Sequence, residues 1–141
     1  MNRLKLLILS SAFLTLSGCG TLKDMYDAYF MAGYDNNEYA LVNQIRTESE
    51  LNINKCTDDL LARTVFVDLY DKSVELKNFS QYVPDNEDAF KLASGLVELA
   101  KQGKDAYDKG DKVSPTFCKL KLKSINRASE KAQEVIGKKP R

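Results

Sequence analysis

The residue types best able to do chemistry in this 141-residue chain are its three cysteines, Cys19, Cys56 and Cys118, set in a sequence with no histidine. Without an imidazole, the usual base for a serine or cysteine nucleophile is missing. A structural zinc site would also lack its ordinary ligands, because there is no close cysteine pair either. The acid pairs Asp58-Asp59 and Glu87-Asp88 sit where helix starts favour negative charge, so capping explains them more simply than a glycosidase dyad. Gly103 and Gly110 are isolated, and no phosphate-cradling glycine loop is present. No catalytic residue, metal or cofactor is expected. The remaining candidate group is cationic: Lys119, Lys121, Lys123, Arg127 and Lys131 crowd into one short stretch.

The first cysteine has a distinctive setting. Met1 to Lys5 carries Arg3 and Lys5 and no acid, Leu6 to Leu16 is almost wholly apolar, and Ser17 and Gly18 precede Cys19. A basic start, a short apolar centre and a small-residue exit are the parts of a secretory signal. The apolar run falls short of the roughly 20 residues that a membrane-spanning helix needs. Leu16-Ser17-Gly18-Cys19 resembles the lipobox of bacterial lipoproteins. That resemblance covers about the first twenty residues. It implies a signal peptide over 1–18, a diacylglycerol on the Cys19 sulfur, cleavage before that residue, and usually acylation (palmitate, for example) of the new amine. Two or more fatty chains make a stable anchor where one does not. In the sorting rule that accompanies the family, Asp after the cysteine retains the protein at the inner membrane. Gly20 stands there instead, which implies an outer-membrane address facing the periplasm. The alternative is an ordinary cleaved signal with an incidental cysteine.

With Cys19 assigned to lipid, Cys56 and Cys118 form an even pair in a chain expected to reach an oxidising compartment, which points to a disulfide. Two free buried thiols are the competing reading. Charge is distributed unevenly: Asp35 to Asp111 holds sixteen acids against nine bases, and Lys112 to Arg141 holds nine bases against only Glu130 and Glu134.

Residues 19–34 read as a lipidated tether containing a short amphipathic segment, with Leu22, Met25, Tyr26, Tyr29 and Phe30 at helical spacing up to Gly33. Its aromatics can rest at a membrane interface or pack on the domain. Residues 35–137 read as one domain of about four helices. The first begins at the Asp35-Asn36-Asn37-Glu38 cluster, with Leu41, Val42, Ile45 and Ser49 on one face. The second spans Thr57 to Phe79, with Leu61, Val65, Leu69, Leu76 and Phe79 as its stripe; the β-branched patch Thr64-Val65-Phe66-Val67 lies within that period. A third follows the break at Pro84, using Ala89, Phe90, Ala93, Leu96, Val97, Ala100, Gly103 and Tyr107. The fourth follows Pro115 and places Cys118, Leu122, Ile125, Ser129, Ala132 and Ile136 on one face. Short connections predict an all-α antiparallel bundle. Cys56 and Cys118 then both start helices that begin at the same end, consistent with one disulfide. Residues 138–141, Lys-Lys-Pro-Arg, read as a trailing basic tail.

For the cations of the fourth helix two readings stand. They form a solvated face partly neutralised by nearby acids, or they contact an anionic partner: acidic protein, phospholipid or lipopolysaccharide head groups, or a phosphate polymer. Nucleic acid is disfavoured by location and by the lack of interleaved aromatics. The sequence therefore predicts a non-enzymatic binding, adapter or structural lipoprotein of the cell envelope, anchored through lipid on Cys19 and docking on an envelope protein. The same layout is similar to that of phage or conjugation exclusion lipoproteins, the alternative function; an envelope-acting hydrolase is a third.

Overall fold

The computed structural model describes residues 32–141. Cys19 and nearly all of the aromatic segment that follows it lie outside these residues. Four α-helices form: α1 (Asn36–Leu51), α2 (Asp59–Tyr82), α3 (Glu87–Asp108) and α4 (Pro115–Gly137), with a short 3-10 helix, Ile53–Thr57, between α1 and α2. There is no strand among the described residues. Ala32 and Gly33, expected to end the tether's helix, are not helical.

Local chemistry sets most boundaries. Asp35 Oδ1 accepts the backbone N–H groups of Asn37 and Glu38 at 2.7 and 3.1 Å. Asp58 does the same for Leu60 and Leu61, both at 3.0 Å. Ser114 Oγ accepts from Phe117 N–H, and Pro115 fills the first turn, where its missing donor costs nothing. After α3 the chain reverses at Gly110, whose φ of 79° suits a residue without a β-carbon. Asp85 enters α3 with φ 55°, a conformation that Asp tolerates better than most side chains.

The helices run alternately up and down. The start of α1, the end of α2, the start of α3 and the end of α4 meet at one end of the bundle, through Glu38, Ser80, Asn86 and Lys139. Cys56 and Cys118 are bonded at the other end, with Cα atoms 5.6 Å apart. The predicted bundle and its disulfide are thus both present. α1 and α3 each pack on α2 and α4, so α2 and α4 occupy diagonal corners.

All six residues predicted for the core stripe of α4 are buried, as are Val42, Ile45 and Ser49 of α1. In α2 the register differs at the start: Ala62 and Phe66 face the core and Leu61 is 47% exposed. Phe66 is fully buried beneath Gly103 of α3 and stacks on Tyr107 at 5.8 Å between ring centroids. Its ring fills the space a larger residue at 103 would need. Fully burying a side chain of this size contributes about 1.5–3 kcal/mol.

Candidate functional site

The five cations singled out on α4 do not behave alike. Lys119, Lys123, Arg127 and Lys131 are exposed, while Lys121 is half-buried. Lys121 leans toward α3, donating to Gln102 Oε1 at 2.5 Å with its ammonium 5.7 Å from the centre of the Phe117 ring. Lys131 pairs within its own helix with Glu134 at 3.1 Å. Hydrogen bonding from Lys131 holds the Glu134 carboxyl below its ordinary range. Lys119, Lys123 and Arg127 take part in none of the ion pairs among the described residues. Spaced four apart, they form a stripe on the outward side of α4.

This bears on whether acids of the bundle neutralise α4. Among the described residues the one ion pair joining α4 to another helix runs the opposite way, from Arg46 on α1 to Glu130 at 3.7 Å. The outward face of α2 is the acidic one, with Asp68, Asp71 and Glu75 exposed between the exposed Leu60 and Tyr82. Since α2 lies diagonally across from α4, the charge asymmetry of the sequence becomes two faces on opposite sides of the bundle.

A second polar feature was not anticipated as a cluster. Glu38, fully buried, accepts from Ser80 Oγ at 2.6 Å and Asn86 Nδ2 at 2.7 Å through Oε1, and pairs with Lys139 at 2.5 Å through Oε2. Lys139 is only 4% exposed at its side chain. The expectation that 138–141 trails freely is therefore corrected: a buried ammonium needs a buried anion, and Glu38 supplies it. Tyr34 N–H donates to Pro140 O at 2.9 Å, Ala32 N–H donates to Asp85 O at 3.2 Å, and the Arg141 guanidinium lies 4.9 Å from the Tyr34 ring centre. The last residues of the expected tether and the C-terminal residues are thus fastened to the same end of the bundle. One signal for Glu38 is its position four residues before Val42, in phase with the core stripe, although an acid in a helix's first turn is also favoured there without burial.

Clefts on the described surface range from about 210 Å³, bordered by Ala32, Asp85, Asn86 and Lys139, to about 390 Å³, lined by Gln102, Phe117 and Lys121 between α3 and α4; a groove of about 330 Å³ between α1 and α2 is lined by Leu41, Gln44, Glu75 and Phe79. Among the described residues no group of three His, Cys, Asp or Glu side chains can hold a metal ion, and no helix is long and apolar enough to cross a membrane. Cys56 and Cys118, both buried, are committed to the disulfide. Comparison with protein-family models, with curated protein sequences and with solved structures returns no match to this chain.

Proposed function

We propose that this protein is a lipid-anchored binding or adapter module of the bacterial cell envelope, without enzymatic activity, held at the outer membrane through diacylglyceryl-Cys19 and facing the periplasm. The observation that carries this reading is the division of labour among the cysteines. Two are consumed by a buried disulfide, and the third follows a basic start, a short apolar run and Leu16-Ser17-Gly18. A disulfide belongs to an oxidising compartment, which agrees with export. The faces available for recognition are oppositely charged and lie on opposite sides of the bundle, which suits a macromolecular partner.

The test is a photo-crosslinking capture from intact envelopes, with a photoreactive residue placed in turn at Leu60, Tyr82 and Lys123. The native chain is compared with Cys19→Ser exported by a soluble signal. A distinct envelope protein captured by the anchored chain at one of these positions, and lost or reduced for Cys19→Ser, is the expected result. Equal capture of many proteins at every position would contradict a binding role.

A further inference from the structure

We propose that the outward face of α4 lies against anionic phospholipid head groups of the bilayer that holds the anchor, so that the bundle reclines on Lys119, Lys123 and Arg127 and turns the acidic face of α2 away. This rests on the lipid-anchor reading for the identity of the membrane.

Three observations carry it. Among the described residues no carboxylate pairs with Lys119, Lys123 or Arg127, and the two acids on the same side of α4 are engaged elsewhere, Glu130 by Arg46 and Glu134 by Lys131. Leu120, 60% exposed on the same side, adds an apolar group among these cations, a combination suited to the head-group region. Second, both charged faces favour one orientation, since an anionic surface attracts α4 and repels Asp68, Asp71 and Glu75. Diagonal helix axes lie roughly 11–14 Å apart for ordinary packing. That separation exceeds the ~8 Å screening length at physiological salt, so the acids on α2 do not cancel the field of α4.

The third observation is the exit point of the tether. Tyr34 is held by Pro140 and Ala32 by Asp85, at the end of the bundle where α4 finishes. The thirteen residue steps from Cys19 to Ala32 can span at most about 45 Å, and α4 is about 35 Å long. Fully extended, the tether exceeds the length of α4, so the lipid and the α4 face can meet one bilayer without unfolding the clasp, and anchoring converts the second contact into an intramolecular one. An acidic protein would satisfy the charge as well, but nothing would hold it beside α4 as the anchor holds the bilayer.

The experiment uses the mature chain with Cys19→Ser, so that binding does not depend on acylation. Co-sedimentation is measured with vesicles of phosphatidylcholine alone and of phosphatidylcholine mixed with phosphatidylglycerol. The mature chain carries one more acid than base in total, so attraction to anionic vesicles requires a face, not net charge. Each cation near such a surface contributes on the order of 1 kcal/mol, so K119Q/K123Q/R127Q should bind anionic vesicles roughly 100-fold more weakly. A control with the same charge change elsewhere, K91Q/K109Q/K112Q, should stay within a few-fold of the parent. All six residues are exposed, and circular dichroism checks that both variants fold. No preference for anionic vesicles, equal loss in both variants, or self-association of the chain abolished by the α4 changes without vesicle binding would each overturn the proposal. Failure of the anchor reading is seen separately, in the mass of the native chain.

Discussion

The buried pair of Glu38 and Lys139 allows a prediction whose size follows from its surroundings. Replacing Lys139 by methionine keeps the length of the side chain and removes the ammonium. Glu38, with no exposed surface, then keeps the neutral donors Ser80 Oγ and Asn86 Nδ2 and loses the one cation that pairs with it among the described residues. Removing one partner of a buried pair costs about 3–5 kcal/mol. The lower end applies here, because two hydrogen bonds to Glu38 remain. A loss of about 3 kcal/mol is a large share of the 5–15 kcal/mol typical of a domain. With a urea m-value near 2 kcal/mol/M it moves the midpoint down by roughly 1.5 M. The double variant E38Q/K139M should return to within about 1 kcal/mol of the parent, since Gln retains an acceptor for Ser80 and Asn86 and no charge is left buried. Urea unfolding of the mature chain followed by circular dichroism gives all values of the cycle. If K139M costs less than about 1 kcal/mol, or the double variant is as unstable as the sum of the singles, the pair does not act as a buried ionic contact.

Three further outcomes follow from the fold. Replacing both bridge cysteines, C56A/C118A, should lower stability by about 4 kcal/mol in the loop-entropy description, measured by urea unfolding against the oxidised parent; an unchanged midpoint would contradict it. Gly103→Ala should destabilise by about 1–3 kcal/mol in urea unfolding through overlap with the Phe66 ring, although alanine is the better helix former by about 1 kcal/mol; adding F66L to Gly103→Ala should relieve part of the loss in the same assay. Hydrogen bonds from Lys104, then Arg63, hold the Asp108 carboxyl below its ordinary range. Its contribution to stability is therefore present above the ordinary carboxylate pKa and lost as pH falls through the lowered value. NMR titration should show Asp108 titrating below exposed carboxyls, and Lys104→Met should move it upward.

Most of the architecture was legible because the helical period is clean. In α4 the spacings of 4, 3, 4, 3 and 4 from Cys118 to Ile136 name the buried face without ambiguity, and Asp35, Asp58 and Ser114 stand where caps are needed. α2 was harder: Leu61 and Ala62 are neighbours and hydrophobicity favours Leu61, yet packing places the smaller Ala62 inward and leaves Leu61 half outside. Phe66 was obscured by its β-branched neighbours. The polar cluster was not legible, because Glu38 and Lys139 are 101 residues apart. A charged residue in phase with a core stripe states that something is buried, but names no partner. The opposed charged faces needed the topology too. The sequence separates acids from bases along the chain, and only the diagonal placement of α2 and α4 keeps them apart in space.

The central claim, attachment through Cys19, is tested most directly by the intact mass and fractionation of the native protein expressed in a bacterium, beside Cys19→Ser. The account predicts a mature chain that begins at Cys19, carries the mass of a diacylglyceryl group with or without a further acyl chain, and sediments with membranes, while Cys19→Ser carries no lipid mass. A native chain cleaved elsewhere, with no lipid mass and recovered in the soluble periplasmic fraction, would contradict it.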